Sequence, residues 1–212
     1  ARSRAFNSME EAFATVLDGG HRFGGASGST YQMSFAFQGS RVRGDSTAIA
    51  LTQRAPGHYF QRPDADHLEY DPARTSLSGW TARGQIWKRQ GSVRGGVFLR
   101  ALSPGFEISD LGFTPQQDVV ASNAWMNWFD FTPGRHLRQW NIGTMASLGS
   151  TFGGERRWVE QMVQGNATFL NYWEAGGWLG RSYSGYDPVA LRGGPALRTQ
   201  ANWNGGFHVA SD

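Results

Sequence analysis

"YQMSFAFQ", residues 31–38, decides the fold class. In an extended chain Tyr31, Met33, Phe35 and Phe37 fall on one face, and Gln32, Ser34, Ala36 and Gln38 on the other. A period of two with one apolar and one polar face is the mark of a β-strand. The pattern recurs outward from this stretch. In "SGWTARGQIWK" (78–88), Trp80, Ala82, Gly84 and Ile86 oppose Thr81, Arg83, Gln85 and Trp87. In "VRGGVFLRA" (93–101), Val97, Leu99 and Ala101 oppose Arg94, Phe98 and Arg100. Residues 140–148 and 201–209 alternate in the same way.

The alternation predicts strands at about 11–18, 30–43, 75–88, 93–102, 118–130, 136–149, 157–168, 172–182 and 198–210. Their connections differ in length. "RQGS" (89–92) and "FTPGR" (131–135) are tight turns with Gly or Pro-Gly chemistry. Long polar links occupy about 44–74, 103–117 and 183–197. In the first of these, "DSTAIALTQR" reads as a short helix capped by Asp45 or Ser46. The turn between Gln164 and Tyr172 has no clear local signal.

Composition agrees with this reading. The 29 Gly, 9 Trp, 14 Phe and 6 Tyr favour β-structure rich in turns over helical bundles. With no cysteine, disulfides and thiolate metal sites are excluded. The formal charge of +3 is carried almost wholly by arginine, Lys88 being the only lysine, without any block of like charges. No nucleic-acid partner is therefore expected. No apolar run is long enough for a membrane helix.

Strands of about ten residues, with short turns at one end and long loops at the other, form the pattern of an outer-membrane β-barrel. Such a sheet closes because every backbone polar group in lipid must be paired. Tyr31, Trp80, Trp140 and Trp158 stand near strand ends, where an interfacial girdle would place them. The expected fold is thus an all-β, antiparallel up-and-down meander, a segment of an outer-membrane β-barrel, in a single domain over 1–212. Nine is an odd strand number for a bacterial barrel, and the last strand-like stretch runs nearly to the end. Both point to part of a larger barrel.

The strings "SRVRGD" (40–45), "IALTQRAPGHYFQRPDADHLEYDPARTSLSG" (49–79), "SPGFEISDLGF" (103–113), "FLNYW" (169–173) and "LRGGP" (191–195) resemble a family of large bacterial outer-membrane proteins. The resemblance is to their C-terminal domain of unknown function, which follows a module similar to family-9 carbohydrate-binding modules. It implies a place in the bacterial outer membrane and a barrel architecture. The implied partners are the lipid bilayer or detergent, the rest of the barrel, the N-terminal module and a glycan. No activity comes with it, and no catalytic residue is assigned.

"HYFQRPDADHLEYDP" (58–72) holds the candidate ligand-binding residues: Arg62, Asp64, Asp66, His67, Glu69 and Asp71. Oxygen and imidazole donors at such steps are a possible Ca²⁺ loop. The glycine-hinged calcium-loop pattern and the zinc helix H-E-x-x-H are both absent, so no cofactor is assigned firmly. The competing expectation is that Arg62 and Arg74 pair with these acids and pin the loop into a barrel mouth. Glu107 and Asp110, near Phe106 and Phe113, suggest the acid pair of a glycosidase. The plainer reading is a plug-like loop anchored by Phe106, Leu111 and Phe113. "LRGGP" lacks the phosphate-loop pattern, and "SYSG" (182–185) is not a nucleophile elbow. The expected function is non-enzymatic: an outer-membrane barrel segment in transport or surface handling of carbohydrate-related ligands. The alternative is a soluble β-rich domain that binds or hydrolyses glycans through the acidic loop.

Overall fold

The computed structural model describes residues 9–24, 29–108 and 116–211. Nine long strands form one antiparallel sheet: β1 (Met9–Gly24), β2 (Thr30–Gly44), β3 (Ser76–Lys88), β4 (Val93–Leu102), β5 (Val119–Asp130), β6 (Leu137–Ser150), β7 (Arg156–Phe169), β8 (Glu174–Ser182) and β11 (Asn202–Ala210). Each strand pairs with the next in sequence, so the topology is the all-β meander that the alternation predicts. The sheet is open, with β1 and β11 at its edges. A small hairpin, β9 (Tyr186–Asp187) with β10 (Leu197–Arg198), and one helix, α1 (Ser46–Arg54), complete the described elements. Asp110, Leu111 and Phe113 lie outside the described residues.

Because every strand reverses direction, the links collect at two ends. One end carries 45–75, 103–108, 116–118, 151–155 and 183–201; the other carries 89–92, 131–136 and 170–173. The turn with no clear signal falls at 170–173, where Tyr172 takes φ +66°. β1 is longer than the sequence suggests. Its register with β2 continues through Gly19 and Gly20 to Gly24↔Thr30. A Cβ at Gly19 would sit 2.9 Å from the Phe35 ring, so the glycine makes room for that ring instead of ending the strand.

The two faces differ sharply. Register places Phe37 beside Ala82, Ile86 beside Val97, Met126 beside Thr144 and Val163 beside Leu179, all on one face. Most large side chains on that face are exposed, among them Phe35, Leu99, Met126 and Val163. No core covers it. From Tyr31 to Gly39, the partner of Trp80, the band runs about 27 Å along the strand. Nine strands at their usual spacing span about 40 Å, so the apolar area is on the order of 1,000 Å², against the few hundred found on an ordinary soluble monomer. Arg41, Arg43, Lys88 and Arg181 stand on this face only near its rims.

The opposite, covered face carries Gln38, Gln85, Asn123, Asn141, Gln164, Asn166 and Asn204 along the strands. Trp158 belongs to this face too, since it is the register partner of Gly149 and its indole Nε1 donates to Ser147 at 2.9 Å. This corrects the girdle position expected for it. The phase set by Val159 and Val163 turns the preceding residue the other way.

The buried core lies at the long-loop end of the covered face. Val42 of β2 and Leu77 of β3 pack with Ile49 of α1 and Phe60 of the following loop, and Leu68 and Tyr70 close the cluster. The helix starts where Asp45 accepts a hydrogen bond from Ala48 N at 2.7 Å, which selects Asp45 over Ser46 as the cap. Its fully buried Ile49 points at the sheet. The 103–108 segment lies flat on β3. A Cβ at Gly79 would overlap the backbone of Gly105 and Phe106, and Phe106 is itself 2% exposed.

Gly79→Ala is therefore expected to expel this segment and cost about 1–3 kcal/mol by the strain of overpacking. Gly84→Ala, where the new methyl meets nothing within 4 Å, is the control and should leave stability unchanged or slightly raised. The midpoints of thermal or urea unfolding measure both, and equal midpoints would contradict the inward placement of 103–108.

Candidate functional site

The polar residues of the long loops meet over the covered face, and the 55–75 loop is the hub. Gln53, fully buried at the end of α1, donates from Nε2 to the carbonyl of Asp71 at 2.8 Å and accepts from Asp71 N at 3.0 Å. That two-way amide pairing closes the loop on its own helix. Phe60 N donates to Gln53 O at 2.9 Å, and Leu68 N to Ala65 O at 2.8 Å, so the loop is a series of turns. Tyr59 occupies the left-handed region at φ +46°.

Three sets of contacts bind this hub to its neighbours. His58 Nδ1 faces Pro104 O at 2.8 Å and Nε2 faces Glu107 Oε2 at 2.8 Å. A carbonyl only accepts, so Nδ1 carries hydrogen. The hydrogen of the second bond then lies between the imidazole and the carboxyl. Glu107 N in turn donates to Ser40 Oγ of β2 at 2.9 Å. His67 Nε2 meets Asp118 Oδ2 at 2.9 Å, while the other Asp118 oxygen accepts from Phe152 N at 2.9 Å. Asp118 reaches both from a left-handed backbone, φ +55°, a conformation that aspartate tolerates better than most residues.

Arg62 is the third tie. Its side chain is 3% exposed, and it donates from Nε to Asp64 at 3.2 Å and from Nη2 to Glu155 at 3.1 Å. The second oxygen of Asp64 accepts from Ala196 N at 2.6 Å. One guanidinium thus joins the first long loop to the 151–155 link and, through Asp64, to the 183–201 loop. Desolvation acts to raise the Asp64 carboxyl. The Ala196 N–H and the Arg62 guanidinium outweigh it and hold the group below its ordinary value.

The six candidate residues therefore have different fates. Arg62, Asp64 and His67 make bonds between loops. Asp71 works mainly through its backbone, and its carboxylate accepts from Ala73 N at 2.9 Å, with Arg74 only loosely paired at 4.0 Å. Asp66 and Glu69 are exposed and make no hydrogen bond or ion pair with the described residues. The acids turn toward separate donors. Among the described residues no three carboxylates or imidazoles converge on one point as a Ca²⁺ cage requires. Gln53, Asp118 and Glu155 are not singled out by the sequence, and Glu107, read there beside Asp110, instead pairs with His58. The pairs they form span 18 to 93 residues, and no local motif announces them.

Hollows of about 570 and 480 Å³ lie on the bare face, lined by Ile86, Val97 and Met126 in one and by Leu99, Val120 and Leu148 in the other. They are furrows between apolar side chains over Gly84, Gly95 and Ala124 and hold almost no polar atoms. No family model, curated protein or solved structure matches this chain. The likeness to the outer-membrane family accordingly rests on the quoted strings alone.

Two outcomes are expected of the loop hub. Arg62→Ala removes two charge-assisted bonds and should cost about 2–3 kcal/mol in the unfolding midpoint. Acid should act on Asp64 with a defined sign. A depressed folded value means its stabilisation is complete above the ordinary carboxylate value, near pH 4, and is lost as the pH falls below it. Proteolysis of the 55–75 loop should therefore accelerate below about pH 4, and Asp64→Asn should flatten that dependence.

Proposed function

We propose that this chain is a membrane-spanning β-sheet of a bacterial outer-membrane barrel. In this reading the bare face meets lipid, the covered face lines the lumen, and the loop hub narrows one mouth. The observation that carries it is the inversion of the usual sheet. In a soluble antiparallel sheet the apolar face is the one that something packs on. Here the described loops and helix pack on the polar face, and apart from Phe152 against Trp80 they leave the apolar face bare.

Three further features support the reading. The apolar band of about 27 Å along a strand becomes about 20 Å of height at a barrel's usual tilt, close to a bilayer's apolar band of about 25 Å. Charges on the bare face sit near the rims, where Lys88 and Arg181 would reach headgroups. The three long links share one end, with the short 151–155 link beside them, and the links at the other end are all short, as in barrels with short periplasmic turns. Closure would require β1 and β11 to find partners, either each other or further strands, because an open edge in lipid leaves backbone groups unpaired. The proposed role is non-enzymatic: Asp64, Glu107, Asp118 and Glu155 are engaged in holding loops together. Transport or surface handling of carbohydrate-related ligands follows from the family resemblance alone.

The protein should fold only with detergent or lipid and migrate differently on a gel with and without boiling. A folded monomer in plain buffer would refute the membrane reading and favour a soluble glycan-binding domain. Position-specific substitution sharpens the test. Leu99→Arg on the bare face should cost about 2–4 kcal/mol in bilayer folding. Asn123→Arg, one strand over on the covered face, should be tolerated.

A further inference from the structure

Arg157 stands apart from every contact described above. It is the extra residue of a β-bulge: Gly149 pairs with Trp158 and Ser150 with Arg156, leaving Arg157 without a register partner. A bulge commonly re-aims a side chain, and here Arg157 is turned under the loops, 8% exposed, with its guanidinium 5.3 Å from the Trp158 ring. Its Nε and Nη1 are fully buried and have no hydrogen-bond partner. The bulge is held in place by the 183–201 loop, because a Cβ at Gly185 would overlap the Arg157 carbonyl.

An orphaned buried guanidinium is costly, and its surroundings do not relieve it. Asp118 and Asp187 lie within electrostatic reach, and so do the guanidinium groups of Arg62 and Arg100. Both oxygens of Asp118 are engaged by His67 and Phe152. Asp187 accepts from Val189 N and Ala190 N. Neither forms an ion pair with Arg157.

A second observation points the same way. Arg83 and Arg100 are direct register partners on the covered face, and neither makes an ion pair or hydrogen bond with the described residues. Like charges directly opposite one another destabilise a sheet. Between Arg100 and the bulge the same register row runs through Ala121 and Gly149 to Trp158, whose ring lies flat over Gly149. Arg157, packed beside that ring, and Arg100 lie within electrostatic reach of each other.

We propose that Arg100 and Arg157, with Arg83 at the entrance, form a binding site for an oxyanion: a carboxylate or phosphate group of a solute reaching the covered face. A planar guanidinium presents paired donors that match such a group. The anion would offset the charge of Arg157 and Arg100 together and screen the Arg83–Arg100 repulsion. Arginines facing a lumen are also the usual means of selecting anions in a pore. The site is independent of the membrane reading, because it depends only on the covered face.

The test uses the whole chain in whichever medium keeps it folded and monodisperse, detergent or plain buffer. Citrate and inorganic phosphate serve as probes and maltose as the neutral control, titrated by calorimetry at low salt. Saturable binding of citrate or phosphate is expected, weakening as salt rises. A preference for citrate identifies a carboxylate site, and the reverse a phosphate site. Arg100→Gln, exposed on the covered face, should retain the fold and weaken binding at least tenfold. Arg157→Gln should abolish binding, and Arg43→Gln at the bare-face rim should leave it unchanged. No saturation by either probe up to about 10 mM, or equal binding by folded Arg100→Gln protein, would overturn the proposal.

Discussion

Every long strand presents apolar side chains on the face that none of the described loops covers, and this placement governs the rest of the molecule. A sheet with an apolar area on the order of 1,000 Å² and no second layer is not stabilised by burial of that face within the described residues. Its free energy depends on what lies against it. The polar face then inherits the work that a core usually does, and it is populated by amides, glycines and a few aromatics. Glycine recurs there because large neighbours lie flat. Asn127 crowds Gly143, Asn166 crowds Gly176 and the Trp158 ring covers Gly149. Each pairing of a large residue with a glycine on the next strand fills the surface without adding height, as in designed sheets where aromatic residues cover glycine.

The hydrophobic cluster of the described residues, around Val42, Ile49, Phe60 and Leu77, is small and sits at the loop end. Apolar burial by itself anchors only α1 and the start of the 55–75 loop. The remaining loop order comes from polar ties that each close a long stretch of chain: His58 to Glu107, His67 to Asp118, Arg62 to Glu155 and Asp64 to the Ala196 amide. The ties share partners. Asp118 links two loops at once, and Asp64 links Arg62 to a third. Removing one member leaves another buried polar group short of its bond, so the hub behaves as a unit. Loops held this way form a fixed lid over the covered face, and flexible strands of chain would leave it open.

Strand order was legible in the sequence because a meander needs only local information. Each strand bonds its chain neighbours, and a period of two fixes the facing of every residue once one is known. The errors have physical causes. β1 looked short because paired glycines imitate a turn, yet Gly19 is there to admit the Phe35 ring. Trp158 looked like a girdle residue because its position near a strand end was legible and the phase of its strand was not applied. The site was half legible. Charge density singled out 58–72, and the prolines and aromatics of that stretch indicated order. The pairings of Glu107, Asp118 and Glu155 were invisible, since each is an ordinary acid in an ordinary loop and gains its meaning from a neighbour at least 49 residues away.

The Arg157 bulge shows how the two faces of the problem meet. An extra residue in β7 adds nothing to the ladder, and an arginine buried with two bare donors subtracts from stability. Substituting a neutral residue there would relieve the cost, as it would at the opposed Arg83 and Arg100. Asp18 of β1, Glu160 of β7 and Glu174 of β8 share the covered face with these arginines, and none of them is a register partner of Arg83 or Arg100. The unpaired arginines are therefore a cost that the pairing of the sheet does not itself recover.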